Sequence, residues 1–384
     1  MHRFKWPLIL FIFVVAVLSV PATAKKDDIE AEKKLGQQAA IETDKTLKFI
    51  KDEKYTKRVN EIGQKIAAIA GKVKVPATYG SDELTDFTYT FKVVDDKEIN
   101  AESLPAGYIY INKGLLDHVE SDDELAGVIA HEAAHVAHHH MVQLLKKQGQ
   151  YNAYVLALLA ATVIGKADSG DLQNVYYGAK MFEIAKLNGY SREAEEDADK
   201  TAIEYMTRAG YNPVGMLTFI EKLARDDAYN PVDYGVYMNH PYSKDRADYL
   251  IAELNKRHIP INRRAVTSDM MAVVKDITVG EKNISQVVVD DRVIFKAADT
   301  ESLSSSDRAK SIAAILNKAF DMNPDIRDVK IGNEDTGVYI KDKLIVDVLP
   351  EDAALASTTR EALAASVHEA IQAVLVSESL KLMY

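Results

Sequence analysis

One helix, legible residue by residue, constrains this chain more than any other feature. Ser121 followed by Glu124 is a capping box, and Leu125, Val128, Ile129, Ala133 and Val136 recur at helical spacing, predicting a helix through His140. His131 and His135 fall four residues apart on one face, one turn apart, where both imidazoles can grip a single metal ion. Glu132 projects about 100° away, beside the ion's open position. There a carboxylate can take a proton from an attacking water and return it to a leaving amine.

Composition limits what else such a helix can serve. The 384-residue chain contains no cysteine, which excludes disulfides, cysteine-ligated zinc, thiol nucleophiles and iron–sulfur clusters, so a metal must be held by His, Asp or Glu. The expected cofactor is one Zn2+ per chain. A formal charge of -11 lends no support to a nucleic-acid face, and 47% hydrophobic residues are enough for a sizeable core and two domains.

At the N-terminus, His2, Arg3 and Lys5 precede an apolar run from Trp6 to Val20 and the small residues Ala22 and Ala24. Residues 1–24 read as a cleavable export signal, and an uncleaved anchor is the alternative because the run is short for a membrane span. Two amphipathic helices are expected over residues 25–73, followed by short strands at Phe87–Val94 and Gly107–Ile111. The apolar block Tyr154–Ile164 reads as a buried helix, with peripheral membrane contact as the alternative. Ser191 caps a helix that stops at Gly210, and Asn212-Pro213 opens the next. Residues 259–282 carry few periodic signals and read as a linker. Beyond them, a hairpin over Val287–Phe295, a helix over Ser306–Phe320, strands near Val329, Val338 and Leu344–Val348, and a helix over Thr358–Val376 form a small domain. The expectation is an α+β protein: a mainly helical domain over 25–258 and an α+β accessory domain over 283–384.

Zinc needs a third protein ligand. Position 141 is Met141 and the glycine expected before it is His138, which excludes a third histidine six residues after His135. Carboxylates at the start of the later helix, Ser191 to Asp199, are the remaining candidates. Glu195 and Asp199 stand four apart on one face, so one can bind the ion while the other accepts the second N–H of a ligating imidazole.

His131-Glu132-Ala133-Ala134-His135, then Glu195-Glu196-Asp197-Ala198-Asp199, then His240-Pro241 with Arg246, resemble the motifs of the HtpX-like and CAAX prenyl endopeptidase-like zinc metalloproteases. Asn100-Ala101, Leu104 to Tyr110 and Gly114-Leu115-Leu116 resemble the segment preceding the zinc helix there, especially in the soluble periplasmic, BepA-like branch. The resemblance covers about residues 30 to 255. It implies a gluzincin, zincin-type fold with His131, His135 and Glu195 as metal ligands and Asp199 behind them. It also implies that Gly107, Tyr108, Ile109 and Tyr110 lie on an edge strand that receives substrate. Two residues depart from the pattern: Ala106 stands where glycine is common, and Glu102 where an apolar or aromatic residue is usual.

His240, on a turn fixed by Pro241 with Arg246 behind it, is the candidate donor to the oxyanion, or a latch that fills zinc's fourth position until substrate arrives. His138, His139 and His140 read as a solvated helix end, and His118, His258 and His368 as structural. The reading favoured is an exported, periplasmic Gram-negative endopeptidase that cuts extended or misfolded proteins. A chaperone-like module holding unfolded chains, or a metal buffer built on the histidine run, are the rival classes.

Overall fold

The computed structural model describes residues 23–147, 190–229, 243–279, 282–332 and 335–381. His240, the block 154–164 and all but the last two residues of the expected export signal lie outside these. Among the described residues, no helix is long and apolar enough to cross a membrane.

The first half is built around the histidine helix. Helices α1 (Thr23–Thr46) and α2 (Glu53–Ala70) precede strands β1 (Thr90–Val94), β2 (Ala101–Leu104) and β3 (Tyr108–Asn112), the short α3 (Lys113–His118) and α4 (Asp122–Ala137). Then come α5 (His140–Lys147), α6 (Arg192–Ala209), α7 (Val214–Tyr229) and α8 (Ser243–Lys256). The caps fall where expected: Ser121 Oγ accepts the Glu124 N–H at 3.1 Å, Ser191 accepts that of Ala194, and α6 ends at Gly210 with φ 84°.

Helix α4 stops three residues early. The Ser81 N–H donates to the His138 carbonyl, the His138 ring bonds the Ser81 carbonyl, and His139 takes a left-handed φ of 56°, which diverts the chain into α5. Helix α4 is buried on every side, against α2, α6, α7 and the sheet, through Leu125, Ile129, Ala130, Ala133, Ile66, Ala198, Ala202 and Leu217.

The sheet has the order β1-β3-β2. Strand β3 pairs in parallel with β1 (Phe91 opposite Ile109) and antiparallel with β2 (Ser103 opposite Ile109). The expectation that residues 107–110 lie on an edge is therefore corrected: Tyr108, Ile109 and Tyr110 form the central strand, with both sides occupied. Alternation holds, with Ile109 and Ile111 entering the main core and Tyr110 facing α1, where its hydroxyl lies 3.1 Å from Asp44 Oδ1. Gly107 turns the chain into β3 with φ 100°, and a Cβ there would lie 2.8 Å from the Thr88 carbonyl oxygen. Ala106 before it adopts φ 65°, a conformation that suits the glycine common at that position. Among the described strands β2, a strand not anticipated from sequence, pairs with β3 alone. The outer side of β1 is partly covered, since the Ile50 N–H donates to Val93 and the Asp95 N–H to Lys48.

The second half has its own core. Strands β4 (Val273–Val279), β5 (Lys282–Val289) and β6 (Arg292–Ala297) form one meander, and β7 (Val329–Ile331), β8 (Gly337–Ile340) and β9 (Lys343–Asp347) another. Helices α9 (Ser305–Phe320), α10 (Pro350–Leu355) and α11 (Arg360–Lys381) pack with them around Val287, Phe295, Leu316, Phe320, Val338 and Ile371. Strand β4 lies inside the stretch read as linker over 259–282, and Met270 and Ala272 already belong to this core. The linker is shorter than its sparse periodicity suggested.

Candidate metal centre

Helices α4 and α6 bring together three side chains that could hold a metal ion: the ligand atoms of His131, His135 and Glu195 all lie within 4.8 Å of one another, and all three residues are buried. The Nε2 atoms of His131 and His135 are 2.9 Å apart, and Glu195 oxygens approach them at 3.3 and 3.5 Å. Both Nδ1 atoms are engaged on the far side of their rings. That of His131 is 2.9 Å from Asp199 Oδ1, and that of His135 is 2.8 Å from His140 Nδ1. Both Nε2 atoms are thereby directed at the same space, beside a buried carboxylate. A hard-to-soft borderline divalent ion such as zinc fits this donor set.

Charges around the centre reinforce it. Arg246, at the start of α8, donates from Nε to Asp199 Oδ2 at 3.0 Å and from Nη2 to Oδ1 at 2.6 Å. Its Nη1 reaches 3.1 Å from Glu195 Oε2. Burial alone would raise the Asp199 pKa, but Arg246 and His131 hold it below the usual carboxylate range. Burial and the Arg246 charge oppose protonation of His131, yet its bonds to Asp199 and Glu195 push its pKa up to about 9. A divalent ion would displace that proton. Glu132 is 3% exposed, next to His131 on α4. Tyr190 stacks on the His135 ring with centroids 4.0 Å apart, and burial, then the charges of Glu132 and Glu195, push its phenol well above the ordinary value.

Sequence reasoning placed His131, Glu132, His135, Glu195, Asp199 and Arg246 near one another, and the structure brings all six together. Arg246 stands on the Nδ1 side of His131, bound to Asp199; the oxyanion donor it was expected to back, His240, lies outside the described residues. The histidine run is a further correction, because its three members are not a solvated helix end. His138 bridges the Ser81 carbonyl and Thr201 Oγ1, each at 2.7 Å, and His139 lies 2.6 Å from Glu32 Oε2. His140 is completely buried, and burial lowers its pKa well below the ordinary histidine value. Tyr190 and His140 are site residues that sequence reasoning missed. The only signal for Tyr190 was its place just before the Ser191 cap.

Strand β2 and the turn after it come close to this centre: Ser103, Leu104 and Pro105 line a small cavity together with His135 and Tyr190. Which backbone groups of β2 face outward follows from the ladder. The Asn112 N–H donates to the Asn100 carbonyl, so Asn100 and Asn112 form a hydrogen-bonded pair, and alternation turns the N–H and C=O of Ala101 and Ser103 away from β3.

Comparison with known proteins matches the same segment. The chain is 28% identical over 198 residues to a "Putative beta-barrel assembly-enhancing protease" of Vibrio cholerae, covering 51% of this chain and 38% of that one. It is 29% identical over 161 residues to "Metalloprotease LoiP" of Escherichia coli (42% and 60%), and 28% identical over 204 residues to a mitochondrial metalloendopeptidase of Arabidopsis thaliana (53% and 39%). It thus spans about two fifths of the length of the first of these relatives. Residues 286–378 match a domain of unknown function, DUF8459. Residues 55–254, just over half the chain and the part that carries α4, α6 and α8, match the profile of Peptidase family M48, and the chain belongs to that family.

Proposed function

We propose that this chain is a zinc-dependent endopeptidase that cuts extended segments of other proteins. The observation that carries the reading is the convergence of both Nε2 atoms and the Glu195 carboxylate on one buried space, with Glu132 adjacent. His131, His135 and Glu195 would hold the ion, which when bound supplies a Lewis acid that polarises the scissile carbonyl and lowers the pKa of water. Glu132 takes the proton of the attacking water and delivers it to the departing amine nitrogen. Asp199 keeps His131 in the tautomer that leaves Nε2 free, and Arg246 holds Asp199 and Glu195 in register. His240 is the candidate donor to the oxyanion on the strength of the resemblance.

Substrate adds as a strand to β2. The outward N–H and C=O of Ala101 and Ser103 would supply the pairing groups, and because these bonds run between backbone atoms the pairing is not tied to particular side chains. Such pairing favours extended or misfolded chains over folded ones. The β-barrel-assembly relatives support export to a Gram-negative periplasm and a task in envelope protein quality control. The protease unit would extend from about residue 25 to 266, with the accessory unit beginning near Met270. Casein cleavage before and after chelation tests the reading: activity should vanish with the metal and return with stoichiometric zinc. Undiminished cleavage by the metal-free chain would contradict it.

A further inference from the structure

His135 and His140 are five residues apart, which on an unbroken helix would place them about 140° apart around the axis, facing different neighbours. They touch because α4 breaks at His138–His139, where a non-glycine residue holds φ 56°. That break swings the first residue of α5 back over the histidine helix, and the two Nδ1 atoms meet at 2.8 Å in a fully buried contact. A left-handed histidine costs energy, so it persists where surrounding contacts over-determine it. Here Ser81 and Thr201 clamp His138, Glu32 and Thr85 clamp His139, and only His140 turns towards a candidate ligand.

Two ring nitrogens at this distance share one hydrogen, and its owner decides whether His135 can bind a metal. If His140 Nδ1 carries it, His135 must keep its own hydrogen on Nε2, the atom that faces His131 and Glu195. If His135 Nδ1 carries it, Nε2 is left with a lone pair. We infer that His140 is a positioning residue for the metal centre: its Nδ1 accepts the His135 Nδ1–H, fixing the tautomer in which His135 Nε2 can coordinate. The inference rests on the reading of His131, His135 and Glu195 as metal ligands. It assigns the two imidazoles different supports, a carboxylate held by Arg246 for His131 and a neutral imidazole for His135. The neutral partner adds no fourth negative charge beside Glu195, Glu132 and Asp199, so a bound ion would retain more of its electrophilic character than with two carboxylate-backed ligands.

The test compares His140→Asn, whose side-chain oxygen can stand where Nδ1 stands, with His140→Leu, which fills similar space without an acceptor. Zinc affinity of the full chain is measured by competition with a chromogenic chelator, alongside the absorption spectrum of the cobalt-substituted chain. His140→Leu should bind zinc roughly 10- to 100-fold more weakly with an altered cobalt spectrum, and His140→Asn should recover most of the loss. Unchanged affinity in His140→Leu, or equal weakening in both variants, would overturn the role. Should either variant misfold, 15N-resolved imidazole spectra of the zinc-loaded parent decide the matter. Hydrogen on His135 Nδ1 and His140 Nε2 is expected, and hydrogen on His140 Nδ1 would overturn the inference. A parent chain that takes up no zinc would instead overturn the metal-centre reading on which it stands.

Discussion

At the residue scale, the position of each carboxylate on α6 decides which one completes the ligand set. Glu193 is exposed, Glu196 half-buried, and Glu195 is 1% exposed and faces both imidazoles. Asp197, on the same turn, accepts the N–H groups of Thr78 and Tyr79 at 2.6 and 2.7 Å, which ties the loop before β1 to α6. Glu195→Gln should therefore abolish stoichiometric zinc uptake, while Glu193→Gln and Glu196→Gln keep it, as read by metal content after dialysis. Zinc retained by Glu195→Gln and lost by either neighbour would reverse the assignment. Much of this centre was legible because helical spacing alone puts His131 with His135, and Glu195 with Asp199. His140 was not, because its contact exists only where the helix fails. The signals that break it, the Ser81 backbone and Glu32, come from segments distant in sequence.

Among elements, the sheet shows where pattern reading stops. Tyr108 to Asn112 alternates aromatic and β-branched residues, and that alternation correctly sorted its two faces, yet alternation carries no information about which strands flank it. Strand β2 has four residues, one of them the buried Glu102, so neither length nor composition announced it. Strand addition at β2 carries a specific expectation. Proline at Ser103 removes an outward N–H without touching the ladder to β3. Ser103→Pro should lower kcat/KM for extended peptides at least tenfold, roughly the 1.4 kcal/mol scale of one lost backbone hydrogen bond, with zinc content unchanged. Unaltered peptide cleavage by that variant would count against strand addition at β2.

For the whole molecule, the two cores meet beside the start of the histidine helix. Glu120 Oε2 accepts the Ser268 N–H at 3.1 Å, Arg264 pairs with Asp321 of the second half at 3.2 Å, and Glu378 of α11 lines the same cavity as Glu124 and Lys222. Lys222 Nζ is 3.0 Å from Glu124 Oε2, and Glu124 is completely buried in the first turn of α4. Burial raises the Glu124 pKa despite Lys222. The folded chain therefore holds that proton more tightly than the unfolded one, so the group favours folding most at low pH and the benefit is lost as pH rises through the raised pKa. Lys222→Met leaves the buried carboxylate uncompensated and should cost about 3–5 kcal/mol in denaturant unfolding at pH 8. The cost should shrink near pH 5, where the carboxyl can protonate; a pH-independent difference would contradict this account. The division into two cores was readable from the change of pattern beyond residue 258. Its position near Val266 to Met270 was not, because the adjacent charges Lys275 and Asp276 interrupt the alternation of β4, Val-Val-Lys-Asp-Ile-Thr-Val. All of these arrangements serve one claim, that Glu132 moves protons beside an ion held by His131, His135 and Glu195. Zinc content and casein turnover measured on the same Glu132→Gln preparation test it most directly. The account predicts parent-like zinc with turnover reduced by roughly 10²- to 10⁴-fold, because an amide cannot accept the proton. Parent-like turnover with zinc in place would contradict it.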